Sequence, residues 1–121
     1  MTKRILVIED TEDNRQIIRD LLTSAGYDIV EAVTGEEGVA MAAKHRPDLI
    51  LMDMQLPVLD GYEATRRIKA DPDLKSIPII VVTSYALSGD EKKARLAGCD
   101  AYVAKPFSPR QLLAIVREFV G

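Results

Sequence analysis

Short apolar runs recur along the chain and define the predicted strands. A weak run lies at Ile29-Val30, and four stronger runs of four apolar residues each lie at 5–8, 49–52, 79–82 and 101–104. Runs without polar alternation are typical of strands that are buried on both faces, as in a parallel sheet covered by helices.

Helical periodicity fills the stretches between these runs. One apolar face is predicted early in the chain, at Ile17, Ile18, Leu21, Leu22 and Ala25. Another is predicted near the end, at Leu112, Ile115, Val116, Phe119 and Val120. The pattern therefore places a helix after the first strand and another after the fifth.

Polar residues mark where the helices begin. Thr34, Ser88 and Ser108 each lie three residues before a Glu or Gln, which is the spacing of a capping box. Asp60 is an acidic version of the same start, and Pro109 suits a first helical position. Gly26 and Gly98 lie where the first and fourth helices are expected to stop.

Strand and helix thus alternate five times in 121 residues. This order predicts an α/β fold with a parallel sheet, right-handed crossovers and helices on both faces. By analogy with folds of this size we expect a flavodoxin-like, doubly wound (βα)5 architecture with five parallel strands in the order 2-1-3-4-5. Residues 1–121 are expected to form a single domain.

Composition narrows the function classes. With 16 Lys+Arg and 19 Asp+Glu the net charge is −3, which excludes the basic footprint of a dedicated nucleic-acid binder. A single cysteine, Cys99, excludes an internal disulfide. The apolar run near the start is too short for a signal peptide or a membrane span, so we expect a cytoplasmic protein.

Chemically capable side chains follow four of the predicted strands. Parallel strands end at one sheet edge, where ligands bind in such folds, and the residues there are Glu9, Asp10, Asp53, Thr83 and Lys105. Clustered carboxylates need a cation, and oxygen-only ligands favour Mg²⁺, with Mn²⁺ possible. A hydroxyl and a lysine suit phosphate oxygens, so Asp53 is a candidate nucleophile in phosphoryl transfer.

The motifs that carry these residues resemble the receiver domain of bacterial two-component response regulators, over residues 5–119. They are Ile-Leu-Val-Ile-Glu9-Asp10, the segment from Pro47-Asp48 through Asp53 to Pro57, Asp60-Gly61, Pro78-Ile-Ile-Val-Val-Thr83, Ala97-Gly98 and Tyr102-Val-Ala-Lys105-Pro106-Phe107. Gln55, Tyr85 and residues 98–102 look like those of DivK-type single-domain receivers and of the receivers of hybrid kinases.

The resemblance implies a role for each site residue. Asp53 accepts a phosphoryl group from a phosphohistidine of a sensor histidine kinase or phosphotransfer protein. Side chains of Asp10 and Asp53 bind Mg²⁺ together with the Gln55 carbonyl, while Glu9 acts largely through water. Thr83 and Lys105 bind the phosphoryl oxygens.

The resemblance also implies a readout. Thr83 and Tyr102 form a switch pair, and the fourth helix, fifth strand and fifth helix bind a downstream protein. The Lys105-Pro106 bond is expected to be cis. Gln55 and Tyr85 tune the loss of phosphate, and their bulk predicts a long-lived phosphoryl group.

Basic residues give that readout face a positive character, although an ordinary solvated helix face is the favoured explanation for them. They are Lys92, Lys93, Arg95, Arg110 and Arg117. We expect neither nucleic-acid binding nor membrane insertion.

Other interpretations stay open or are disfavoured. The chain is expected to be a stand-alone receiver without an output domain, the alternatives being a receiver cut from a hybrid kinase or larger regulator, or a non-phosphorylated pseudo-receiver that only binds. Gln55 stands where an aspartyl-phosphate phosphatase needs a second acid. The acidic loop 9–13 would repel the phosphate of a flavodoxin-type cofactor.

Overall fold

The computed structural model describes residues 2–54, 56, 59–83, 90–105 and 107–121, with only the backbone described at 90 and 91. Five strands alternate with five helices. The strands are β1 (Arg4–Ile8), β2 (Asp28–Ala32), β3 (Leu49–Asp53), β4 (Ile79–Thr83) and β5 (Ala101–Ala104). The helices are α1 (Glu12–Ser24), α2 (Gly35–His45), α3 (Gly61–Ala70), α4 (Asp90–Ala97) and α5 (Pro109–Val120).

All four strand pairings are parallel, and the strand order is β2-β1-β3-β4-β5. The predicted flavodoxin-like α/β fold and its strand order are therefore confirmed. Every residue of β3 and β4 is buried, as their unbroken apolar runs predict. β2 lies at an edge, pairs only with β1 and is mostly half-buried, in keeping with its weak apolar signal.

The strands separate two cores because successive side chains point to opposite faces of the sheet. Leu6 and Ile8 of β1 pack into the core on one face, with side chains from α2, α3 and α4. Ile5 and Val7 pack into the core on the other face, where α1 and α5 contribute Ile18, Leu22, Leu112 and Val116. The five helices thus cover both faces of one sheet.

Each predicted N-cap residue that the structure describes begins a helix, although one of the predicted capping boxes does not close. Ser108 and Gln111 form a complete capping box, and the Asp60 side chain accepts a hydrogen bond from the Glu63 N–H. Thr34 accepts from the Glu37 N–H, but the Glu37 carboxylate accepts from Val33 instead of closing the box on Thr34. The predicted cap at Ser88 lies outside the described residues.

Positive backbone angles end two helices where the sequence expects it. Gly26 (φ 95°) follows α1 and Gly98 (φ 112°) follows α4. Helix α2 ends differently, on Arg46 in the left-handed region at φ 45°, although no glycine marks the position.

Two residues assigned to buried helix faces are in fact exposed. Ile17 is 59% exposed and Phe119 is 36% exposed. Each residue of a helix is rotated by about 100° from the one before, so Ile17 points outward when its neighbour Ile18 points into the core. In the described part of the chain, no helix has both the length and the apolar character to cross a bilayer.

Candidate functional site

The carboxyl ends of the central strands bring three acids together. Glu9 and Asp10 directly follow β1, and Asp53 is the last residue of the neighbouring strand β3. One carboxylate oxygen from each of these residues lies within 4.8 Å of the other two. The sequence-predicted acidic cluster therefore exists, and it lies at the expected edge of the sheet.

The three carboxylates differ in exposure. Glu9 is 2% exposed and Asp53 is 5% exposed, whereas Asp10 lies at the surface. Burial, followed by the neighbouring Asp53 carboxyl, raises the pKa of Glu9 above its usual value of 4.5, and Lys105 opposes the shift. Burial therefore makes the charged form of Glu9 costly.

Lys105 lies directly after β5 and reaches across two strands to the acids. Its Nζ atom lies 3.2 Å from Oε1 of Glu9 and 3.5 Å from Oδ1 of Asp53. The Lys105 N–H donates to the Thr83 carbonyl over 2.6 Å, which fixes the start of this loop to the end of β4. One ammonium thus faces two buried carboxylates and offsets only part of their charge.

The donor set fits a small divalent cation. Oxygen ligands from few residues are what Mg²⁺ takes in proteins, with its remaining positions filled by water or phosphate. Among the described residues, the buried Oε2 atom of Glu9 has no hydrogen-bond donor. A buried carboxylate oxygen left without a donor is costly, and a cation or its water would satisfy it.

A close backbone approach shapes the wall behind Asp53. A Cβ atom on Gly61 would lie 2.5 Å from the Asp53 carbonyl oxygen and 2.6 Å from Cε of Met54. The Gly61 N–H donates to the Met54 carbonyl over 3.3 Å, and the Met54 N–H donates to the Val82 carbonyl. Only glycine allows α3 to begin this close to the acid, which gives the predicted Asp60-Gly61 motif a physical reason.

The remaining predicted site residues divide into two groups. Thr83 is buried at the end of β4, in the same sheet edge as Asp53, and Tyr102 is half-buried on β5. The two lie on neighbouring strands, where Tyr102 pairs in register with Val81. Three other residues lie outside the described part of the chain. They are Gln55, expected to be a metal ligand and to tune phosphate loss, Tyr85, expected to tune phosphate loss, and Pro106, expected to follow a cis bond.

The face formed by α4, β5 and α5 carries the expected positive charge. Lys92, Lys93 and Arg95 are exposed on α4, as are Arg110 and Arg117 on α5. Lys93 also reaches back to α3, where its ammonium lies 4.7 Å from the centre of the Tyr62 ring. Leu96, an apolar residue among these charges, is 78% exposed, and the sequence did not predict this exposure.

The sequence did not indicate a role for Arg15, whose side chain contacts the backbone of the site residue Glu9. The Arg15 guanidinium donates to the Glu9 carbonyl oxygen over 3.0 Å and to Oε1 of Glu31 over 3.0 Å, and it also pairs with Glu12. The only sequence signal was its place on α1, six residues after Glu9.

Cys99 is buried, as expected for a packing residue.

Comparison with known proteins agrees with this geometry. The family model for the response regulator receiver domain matches residues 5–117. The polar-differentiation response regulator DivK of Brucella ovis is 41% identical over 121 residues, which is 100% of this chain and 98% of that protein.

Two solved structures show the same fold. The receiver domain of a sensor histidine kinase from Pseudomonas aeruginosa PAO1, which has a magnesium ion coordinated in its active-site cleft, is 40% identical with a TM-score of 0.93. The match covers 100% of this chain and 99% of that one. The chemotaxis protein CheY4 of Vibrio cholerae is 28% identical with a TM-score of 0.93, over 98% and 99% of the two chains. From its fold, its acidic cluster and these matches, the chain belongs to the response regulator receiver domain family of two-component signalling and is DivK-like.

Proposed function

We propose that this protein is a phosphorylation-dependent signalling switch in which Asp53 accepts a phosphoryl group from a phosphohistidine. The observation that carries the proposal is the buried Asp53 carboxylate, which lies within 4.8 Å of two further acids and 3.5 Å from the Lys105 ammonium. This carboxylate is held at the end of strand β3, and the adjacent Lys105 ammonium can offset negative charge on a phosphoryl group.

The transfer itself needs one nucleophile. An Asp53 carboxylate oxygen attacks the phosphorus atom, the new O–P bond forms as the N–P bond to the histidine breaks, and the imidazole nitrogen keeps the electron pair of that bond. Lys105 lies close to Asp53, and its ammonium is proposed to bind a phosphoryl oxygen. The Thr83 hydroxyl is proposed to donate a hydrogen bond to a second phosphoryl oxygen.

A magnesium ion fits the same edge of the sheet, where it would neutralise the growing charge on the phosphoryl oxygens. Asp10, Asp53 and the Gln55 carbonyl are proposed to hold it, and Glu9 is proposed to act through a bound water. Mn²⁺ would be accepted by the same oxygen ligands. Glu9 supports this arrangement because its Oε2 atom lacks a hydrogen-bond donor among the described residues.

The readout is proposed to run from Thr83 to Tyr102 and on to the α4-β5-α5 face. Tyr102 is half-buried, so a change in its packing would alter both the core and the surface. Five exposed cations on α4 and α5 would favour an acidic protein partner. Gln55 and Tyr85 are proposed to slow the loss of phosphate by crowding the attacking water.

Incubation with acetyl phosphate and Mg²⁺, followed by intact-mass spectrometry, tests the proposal. We expect the wild type to gain one phosphoryl group, and the Asp53→Asn variant and the wild type in EDTA to gain none. A folded wild type that gains no adduct would instead be a pseudo-receiver. Asp73→Asn is the matched control, because Asp73 is an exposed acid that follows α3 at the opposite end of the sheet.

A further inference from the structure

The end of strand β1 leaves one backbone carbonyl in need of a donor. The Glu9 N–H continues the parallel ladder by donating to the Ala32 carbonyl of β2 over 3.0 Å. In a longer ladder the Glu9 carbonyl would accept from a later residue of β2. The chain instead leaves the sheet after Ala32, and among the described residues no backbone N–H donates to the Glu9 carbonyl.

Arg15 supplies the missing donor from α1. Its Nη1 atom lies 3.0 Å from the Glu9 carbonyl oxygen, and its side chain is only 12% exposed. The Nε atom donates to Oε1 of Glu31, the residue beside Ala32, and the other end of the guanidinium pairs with Glu12. The planar fork is therefore held at three points, and a lysine could not make these three contacts together.

This contact fixes the peptide plane that joins the two acids. The Glu9 carbonyl, the Asp10 N–H and the Asp10 Cα atom belong to one planar peptide group, so a carbonyl held by Arg15 also restrains the backbone position from which the Asp10 side chain leaves. Asp10 has little support of its own, since it is exposed and, within the part of the chain that the structure describes, its carboxylate accepts one long hydrogen bond of 3.5 Å, from the Thr11 hydroxyl.

We infer that Arg15 is a positioning residue of the metal site, which holds the Glu9–Asp10 peptide so that the Asp10 carboxylate faces Asp53. This inference rests on the proposed magnesium site. It assigns Arg15 no contact with the ion, because Arg15 acts through the backbone of residues 9 and 10.

The charge of Arg15 and its positioning role predict opposite changes in Mg²⁺ affinity when Arg15 is replaced, so the direction of the change tests the inference. A cation beside a metal site repels Mg²⁺, so its removal should tighten binding if charge alone mattered. Arg19 offers the matched control because its Nη1 atom also donates to Glu31, at 3.0 and 3.1 Å from the two oxygens. Arg19→Ala therefore removes the same charge from the same cluster and leaves the Glu9 carbonyl contact in place.

The experiment is a Mg²⁺ titration of the unphosphorylated protein, followed by the backbone amide signals of a ¹H–¹⁵N NMR spectrum. Loss of a group that orients a metal ligand typically costs at least tenfold in affinity. We expect Arg15→Ala to raise the Kd for Mg²⁺ by about tenfold, whereas Arg19→Ala leaves the Kd unchanged or lowers it. Equal shifts in the two variants would overturn the inference.

Arg15→Lys covers the case in which Arg15→Ala fails to fold. It keeps the charge and loses the fork, so we expect weaker Mg²⁺ binding than in the wild type. Wild-type affinity in a folded Arg15→Lys protein would show that charge suffices and would overturn the positioning role. A wild type that binds no Mg²⁺ would instead overturn the proposed metal site itself, which distinguishes the two failures.

Discussion

The Lys105 ammonium lies 3.2 Å from Oε1 of Glu9, a residue 96 positions earlier in the chain. This contact joins the two ends of the sequence at the sheet edge where Asp53 also lies. It places one ammonium against two buried carboxyl groups, so Lys105 alone offsets only part of the charge that they can carry. The electrostatic behaviour of the site follows from that imbalance.

Replacement of Lys105 should therefore destabilise the metal-free protein. Lys105→Met keeps the length of the side chain but leaves Glu9 and Asp53 without their cation. We expect the free energy of unfolding to fall by about 1.5–3 kcal/mol at neutral pH, the range for hydrogen bonds to charged groups. Urea unfolding in EDTA measures the change. Lys92→Met, on the exposed face of α4, is the control and should change stability little; an equal loss in both variants would contradict the account.

The raised pKa of Glu9 predicts how stability depends on pH without metal. The folded protein binds the Glu9 proton more tightly than the unfolded chain does. The stability that this proton contributes is therefore fully present below about pH 4.5 and is lost as the pH rises through the pKa of Glu9 in the folded protein. Glu9→Gln cannot lose a proton there, and we expect it to be more stable than the wild type at pH 7. Melting temperatures from pH 4 to pH 8 in EDTA test this, and parallel curves for the two proteins would refute it.

Magnesium should stabilise the folded protein because the proposed binding site exists only after folding. At a hundredfold excess over the Kd, the gain is about 2.7 kcal/mol. Thermal melts with and without Mg²⁺ should therefore differ for the wild type, and the difference should be much smaller for Asp10→Asn. Asp73→Asn should respond as the wild type does. A response in Asp10→Asn as large as in the wild type would remove Asp10 from the site.

Gly61 should tolerate no side chain, because its missing Cβ would lie against the Asp53 carbonyl oxygen. We expect Gly61→Ala to cost about 1–3 kcal/mol of stability through overpacking, and to weaken Mg²⁺ binding as the end of β3 shifts. Gly26→Ala is the control. It strains a residue at φ 95° that has open space around it, so it should lower stability and leave the Kd for Mg²⁺ unchanged. If both variants bind Mg²⁺ as the wild type does, Gly61 has no role in the position of Asp53.

Much of the site could be predicted from sequence because parallel strands all end at one edge. An acid, a hydroxyl and a lysine that follow buried strands must then converge, whatever the details of the helices. The carboxylates of Glu9, Asp10 and Asp53 lie together for this reason. The position of Lys105 beside two of them follows from the same topology.

Other features depend on contacts that no local pattern records. Ile17 and Ile18 are equally apolar, and only the rotation of α1 against the sheet decides which one is buried. Arg46 adopts a left-handed backbone without a glycine to signal it. In the sequence, Arg15 is typical of a surface arginine, and only the fold brings its guanidinium to the Glu9 carbonyl. These are tertiary effects, and a single sequence does not show them.

The most direct test of the central claim locates the phosphoryl group. The protein is incubated with acetyl phosphate and Mg²⁺ and then reduced with borohydride, which converts an aspartyl phosphate to homoserine, and its peptides are sequenced by mass spectrometry. The account predicts homoserine at position 53 alone, and none when Mg²⁺ is chelated. Homoserine at position 10, or a phosphoryl adduct that leaves Asp53 unreduced, would contradict it.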